Sequence, residues 1–407
     1  MIEESEAREK ILQVTPVMGA EYCVLSEALG RRAAADVFAQ VDLPGFDNSA
    51  MDGYALRYQD AKEAGLRLLV TGEQAAGADQ GLNVAEGEVL RIFTGAPMPK
   101  GADAVIMQED VTVIEGQDGR RQIEVVEAVD EVGEFIRRRG ADVCIGQKIV
   151  AIGEEITPGR IGLLASQGLA EVSVHALPRV AVVTTGDELI EPGADLSEGH
   201  IYNSNAPMLA ALVKSTLGCE AQLLHARDDE EILEQTLRSA LDENDVVLIA
   251  GGVSVGEHDL VKQGLTDLGV ETDFWRVRIK PGKPFLFGRR GDTQIFGLPG
   301  NPVAAYTTFL LFVAAALRKR AGYVDDRVEA LPLPKVSCRL GEKIDYSKGG
   351  RPHYLRGNLS EEDGVFAPVG MQASHAIFGL SRADALLRVD AGEVLEAGAQ
   401  VEVLRLP

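Results

Sequence analysis

The chain has 407 residues, 45% of them hydrophobic and 25% charged, the profile of a folded protein with room for two to four domains at about 150 residues each. With 63 acidic against 40 basic residues its net charge is -23, a long-range field that repels phosphate backbones and anionic lipid head groups, so nucleic acid and membrane surfaces are excluded as partners. An anionic ligand would need a locally basic site, and the candidates are Arg137–Arg139, residues 276–283 and residues 348–356.

The opening "MIEESEAREK" is acidic and has no apolar core, and no later window approaches roughly 18 uninterrupted apolar residues, so neither export nor a membrane span is expected. Cys23, Cys144, Cys219 and Cys338 form no C-x-x-C pair, which leaves no zinc ribbon or disulfide framework and makes a reducing cytoplasm the expected location. Apolar residues at helical spacing in "AREKILQV" and "VLSEALGRRAAADV" predict a mostly helical segment over 5–40, broken at Pro16 and Gly19. "LPGFDNSAMDGYA", residues 43–55, then interrupts it with Asp47, Asn48, Ser49 and Asp52 crowded around Met51. Short alternating runs separated by Gly, Asp and Pro follow, and they predict a β-rich insert over 46–141. Thr157 as N-cap and Pro158 in the first turn start a further helix, which together with the first segment gives a linking helical domain of residues 1–45 and 142–177. Strand and helix patterns alternate over 178–327, the mark of βα units on a largely parallel sheet. After a proline-rich linker, 328–407 carries only short alternating runs, consistent with a small β-barrel or sandwich.

In an open α/β sheet ligands bind beyond the carboxyl ends of the strands, so the loops after apolar runs are the candidate sites. "VAVVTTGDELI" places Thr184, Thr185, Gly186, Asp187 and Glu188 after a buried strand, as a site loop or as a simple glycine turn with an acidic exit. "DVVLIAGGVSVGEHDL" ends in Gly251, Gly252 and Gly256 around Ser254, with Asp259 opening a helix. Glycines let backbone N–H groups approach a phosphate, and the adjoining acids suit either a bridging divalent cation or ordinary helix capping. "FGLPGNPVAA" reads as Asn301 capping a helix with Pro302 in its first turn, while "RIKPGKP" just upstream aims Lys280 and Lys283 from a Pro-Gly turn at an oxyanion. "RRRG" is either a solvated basic run or a phosphate contact beside Asp142. The six histidines show no ligand spacing and no G-x-S-x-G elbow exists, which excludes a histidine-held zinc and a serine hydrolase of that type.

Taken in order, "LPGFDNSAMDGYA", "RIFTGAPMP", "IRRRGADV", "TTGDEL", "YNSN", "GGVSVGEHD", "IKPGKP" and "LPGNPV" resemble the molybdopterin molybdenumtransferase family, the MoeA type that includes the E domain of gephyrin. The resemblance spans essentially the whole chain and implies an elongated homodimer of four-domain subunits: the linking helical domain, the insert, an α/β molybdopterin-binding domain and a C-terminal β-barrel. It implies molybdate insertion into adenylylated molybdopterin, with Mg²⁺-dependent release of AMP, to form molybdenum cofactor. Transient contacts with the molybdopterin adenylyltransferase and with molybdoenzyme maturation proteins are implied too. Asp52, Asp142, Glu188 and Asp259 are then the catalytic carboxylates, Asp52 and Asp142 coming from the facing subunit, with Asp187, Glu188 and Asp259 as cation ligands. Thr94, Thr185, Gly186, Asp187, Gly251, Gly252, Ser254 and Gly256 are cleft or phosphate-binding residues. Lys280, Lys283, Pro299, Pro302, Arg351 and Ser374 belong to the oxyanion side. Phe46 and Tyr54 would anchor the 43–55 loop.

Two departures stand out. The "LPGNPV" motif commonly continues with serine where this chain has Ala304, which removes a hydroxyl donor, and "MQASHAIFG" around Ser374 is only loosely similar. The rivals are a molybdopterin adenylyltransferase, which lacks the appended β domains, a peptide-binding scaffold, and a tungstate-preferring form of the same transferase.

Overall fold

Between residues 180 and 298 the apolar runs become six strands of one sheet, in the spatial order Gln222–Ala226, Val180–Thr185, Val246–Ala250, Thr293–Leu298, Pro284–Arg290 and Glu271–Arg276. The first four run parallel, and Pro284–Arg290 runs antiparallel to both of its neighbours, Thr293–Leu298 and Glu271–Arg276. This computed structural model describes residues 1–116, 119–252, 260–323, 333–360 and 362–407. The chain forms two units, one of Met1–Ala35, Ile152–Ile161 and Glu171–Pro407, the other of Asp36–Ala151 and Gly162–Ala170.

In the first unit, Val180–Thr185 and Val246–Ala250 are buried at every position, as expected of parallel strands covered on both faces. Side chains alternate between two cores. Val180, Val182, Leu248 and Phe296 meet Leu209 of the helix Asn205–Leu217 and Phe309 and Phe312 of the helix Pro302–Arg320. Ala181, Val183, Val247 and Ile249 meet Leu233 and Leu237 of Glu230–Glu243 and Val261 and Leu265 of Leu260–Asp267. The helix Pro302–Arg320 is long and apolar enough to cross a membrane, but 78% of its apolar window is buried in this core.

Lys335–Leu340, Val365–Pro368, His353–Ser360, Ala385–Val389 and Gln400–Arg405 close a barrel. Its Tyr354, Leu386 and Leu404 join the same core as the central sheet and as Ala7 and Ile11 of the N-terminal helix Glu4–Gln13. The Tyr354 hydroxyl donates to Glu4 Oε1 at 2.8 Å. Barrel and α/β sheet therefore share one apolar interior, which fixes the loops at their seam.

The expected helix over "VLSEALGRRAAADV" does not form. Ala20–Val24 is a strand paired antiparallel with Glu171–His175, Leu25–Glu27 is a single 3-10 turn, and Ala33 bridges Val174. Gly30, at φ 76°, breaks the helical path, and its N–H donates to Ile156 O at 2.9 Å. Backbone pairing to a distant segment overrides helical spacing here. The later helix forms as expected over Pro158–Ser166, with the Arg160 N–H donating to Thr157 Oγ1 at 3.3 Å.

The second unit carries another six-stranded sheet, ordered Ala104–Met107, Gly53–Leu56, Glu88–Ile92, Arg67–Gln74, Arg121–Val125 and Val111–Glu115. Tyr54, Leu56, Leu68, Val89, Ile106 and Ile123 fill its core. The polar turn-formers of 43–55 are spent on closing loops. Asp47 accepts from Arg138 Nη1 at 2.7 Å and from the Arg139 N–H at 2.8 Å, while Asp42 accepts from Arg139 Nε at 2.6 Å. Asn48–Ser49 pairs with Ile136–Arg137. Tyr54 is buried, whereas Phe46 is 49% exposed.

Candidate active site

The strand Val180–Thr185 is flanked by Gln222–Ala226 on one side and Val246–Ala250 on the other, so the chain changes winding direction at its carboxyl end, where α/β sheets open a ligand crevice. Thr185, Gly186, Asp187, Gly251 and Gly252 meet there. Gly186, at φ 137°, holds a backbone conformation that side-chain-bearing residues rarely adopt, and the Glu188 carboxylate lies against it, 2.5 Å from where a Cβ would stand. A Cβ on Gly252 would lie 2.3 Å from Val261 Cγ2 and 3.0 Å from Thr185 Oγ1. Glycine at 252 thus lets the helix Leu260–Asp267 close on the strand end.

The Asp228 N–H donates to Asp187 Oδ1 and the Asp187 N–H to Asp228 Oδ2, both at 3.4 Å, which ties two strand-end loops together and leaves exposed carboxylates on them. Asn203, buried, donates to Thr184 Oγ1 at 3.0 Å and accepts the Ala206 N–H at 3.2 Å. Asn205 donates to Gly300 O at 2.7 Å. The "YNSN" motif thereby ties the helix Asn205–Leu217 to the loop after Leu298, a role its sequence alone did not reveal. Asp228 was missed as well, because nothing in "HARDDEE" marks one acid over the next.

Carboxylate oxygens are the donors a hard cation takes, and Asp187, Glu188 and Asp228 supply that chemistry. Among the described residues no group of three or more His, Cys, Asp or Glu side chains is gathered closely enough to hold a metal ion. Ser254, Gly256 and Asp259 lie outside the described residues.

The second cluster is a cavity of about 600 Å³ lined by Lys280, Lys283, Pro299, Asn301, Ala304, Arg351, His353 and the 371–374 segment. It brings together four of the expected oxyanion side chains, Lys280, Lys283, Arg351 and Ser374, with Pro299. Pro302 is not in this wall and serves as the first residue of its helix. Two of the basic stretches, 276–283 and 348–356, meet here through the backbone: the Lys280 N–H donates to Pro352 O and the Tyr354 N–H to Lys280 O, both at 2.8 Å. Arg351 Nη1 donates to Ile279 O at 3.1 Å.

Asn301 occupies the cap position, but its side chain makes no cap hydrogen bond. Its amide donates instead to Ser374 Oγ at 3.0 Å, and the Val303 N–H donates to Ser374 O at 3.1 Å. The barrel loop is thus seated on the start of the helix. Burial, then Lys280, Arg356 and Arg351, push the His353 imidazole down to about 4, so at neutral pH it adds no charge to the wall. The remaining cations give a positive recess in an acidic molecule, suited to a small polyvalent oxyanion.

In the other unit, Asp52 Oδ1 accepts from the Thr94 N–H at 2.8 Å and the Thr94 hydroxyl at 2.9 Å. These bonds, the backbone one foremost, hold its carboxyl below the usual range. Asp142 is exposed, and its N–H donates to Leu43 O at 2.9 Å.

A doubly wound α/β domain joined to a small barrel, with an anion-suited cavity at their seam, defines the class. Residues 2–168 match the MoeA N-terminal region (domain I and II), 181–319 a probable molybdopterin binding domain, and 339–406 the MoeA C-terminal region (domain IV). The molybdopterin molybdenumtransferase of Haemophilus influenzae is 36% identical over 411 residues, covering 99% of this chain and 98% of its own. Molybdopterin molybdenumtransferase 2 of Mycobacterium tuberculosis is 35% identical over 391 residues, covering 93% of each. The crystal structure of a molybdopterin biosynthesis MoeA protein from Pyrococcus horikoshii superposes with a TM-score of 0.83 at 31% identity, over 100% of this chain and 99% of that one. The chain belongs to the MoeA family of molybdopterin molybdenumtransferases.

Proposed function

We propose that this protein is a molybdopterin molybdenumtransferase that inserts molybdate into adenylylated molybdopterin and releases AMP, yielding molybdenum cofactor. The observation that carries the reading is the cavity in which Lys280, Lys283, Arg351 and Ser374 converge. A tetrahedral dianion needs fixed cations and a hydroxyl donor, and this wall offers three cationic groups and Ser374 without a carboxylate among its lining residues. The adenylyltransferase alternative is not favoured: relatives bearing the transferase name match nearly the full length of the chain, including the appended β modules.

Asp187 and Glu188, together with Asp259, are the proposed holders of Mg²⁺, which would offset charge on the departing AMP phosphate. Thr185, Gly186, Gly251 and Gly252, with Ser254 and Gly256, are proposed to hold the phosphate end of the substrate through backbone N–H groups. The four-part division at 45/46, 141/142, 177/178 and 327/328 belongs to the same reading. So does a homodimer in which the second copy supplies Asp52 and Asp142. Support for Asp52 is its ionised carboxylate, held by Thr94. Four free cysteines suit the proposed cytoplasmic location.

The test is to incubate the protein with adenylylated molybdopterin, Mg²⁺ and either molybdate or tungstate, and to follow AMP. Oxyanion-dependent AMP release that stops on chelation supports the reading. Consumption of ATP and unmodified molybdopterin instead would establish the adenylyltransferase, and faster turnover with tungstate would establish that preference.

A further inference from the structure

Arg356 lies in the barrel strand His353–Ser360 and is 2% exposed. Its guanidinium is not paired with a carboxylate among the described residues. It is spent on backbone carbonyls of one loop: Nη1 donates to Ala376 O at 2.9 Å, and Nη2 donates to Met371 O at 2.5 Å and to Ala373 O at 3.2 Å. The same loop is clamped a second time, because Gln372 Oε1 accepts the Arg356 N–H at 3.0 Å while Gln372 Nε2 donates to Arg356 O and Val369 O, both at 2.9 Å. A buried charge whose partners are all neutral is expensive to keep. A planar fork that satisfies three carbonyls at once is what only arginine supplies.

The loop so held carries Met371, Gln372, Ala373 and Ser374 into the cavity wall. Ser374 is seated in turn on Asn301 and Val303. We propose that Arg356 is a positioning residue for the oxyanion cavity: from behind the wall it sets the shape of the 371–376 loop, and so the place of the Ser374 hydroxyl, while its unneutralised charge adds to the attraction for a dianion. This rests on the reading of the cavity as the molybdate site.

The experiment compares wild type, R356K and Q372A by circular dichroism, equilibrium dialysis of molybdate and AMP-release kinetics. Arg356→Lys keeps the charge but loses the fork, so a folded R356K is expected to raise the Kd and KM for molybdate roughly tenfold while kcat at saturating molybdate changes less than about twofold. Gln372→Ala loosens the same loop without disturbing the buried charge and is expected to raise the molybdate Kd roughly threefold. A folded R356K with wild-type molybdate affinity, or one that loses kcat with KM unchanged, overturns the proposal. If R356K does not fold, a folded Q372A with wild-type affinity overturns it. Failure of the wild-type protein to bind molybdate would instead sink the functional reading, and that result is read without any variant.

Discussion

Ala304 is a small residue in a wall of strong donors. It belongs to the helix that starts at Pro302, lines the cavity with Asn301 and Ser374, and is 3% exposed. A serine there would add a hydroxyl to the lining of the proposed molybdate cavity, so A304S is expected to tighten molybdate binding roughly threefold to tenfold, the worth of one added hydrogen bond. Equilibrium dialysis decides it, and unchanged or weaker binding would place the ion away from residue 304. At this scale the sequence made the donor types legible, because the basic stretches 276–283 and 348–356 stand out against an acidic chain. It did not reveal that Asn301 would spend its amide on Ser374 rather than on its own helix, since cap chemistry and a contact 73 residues away compete for the same group.

Elements of the α/β domain were legible where period and punctuation agreed. Four strands of its sheet run straight into glycine or proline, Thr185 into Gly186, Ala250 into Gly251, Arg290 into Gly291 and Leu298 into Pro299. The segment 20–38 was not, because its helical spacing is real but its backbone is claimed by residues 152–156 and 171–175. The Gly251–Gly252 pair belongs to this scale too, since its sequence reads as a phosphate cradle while the structure also makes it a joint between strand and helix. G252A puts a methyl 2.3 Å from Val261 Cγ2 at a φ of 60°, so it is expected to destabilise the domain by about 2 to 3 kcal/mol, from overpacking and left-handed strain together. Adding V261A should recover the steric share and leave the strain. Urea unfolding of the two single variants and the double variant measures this, and full additivity would show that the two side chains do not meet.

For the whole molecule, a net charge of -23 works against a dianion everywhere except where cations are gathered, and the order of eight motifs was enough to foresee the family. What it could not show is which distant stretches converge: Lys280 and Arg351 are 71 positions apart, yet both line one cavity with the 371–374 loop. The same crowding of cations has a global consequence through His353. Its imidazole is pushed down to about 4 by burial first and by Lys280, Arg356 and Arg351 next, whereas in the unfolded chain it titrates near 6.5. Between those values the unfolded state binds the extra proton, so stability falls as pH drops through the window and is fully retained above it. From pH 7.5 to 5 this one group accounts for at most about 2 kcal/mol of lost stability. His353→Gln removes the titration, so its urea midpoint should fall less than that of the wild type over the same interval, even if the variant starts lower at pH 7.5. Parallel pH profiles for the two proteins would mean that the folded protein accepts a proton on His353 as readily as the open chain does, and that the wall it belongs to is neither as buried nor as positive as described.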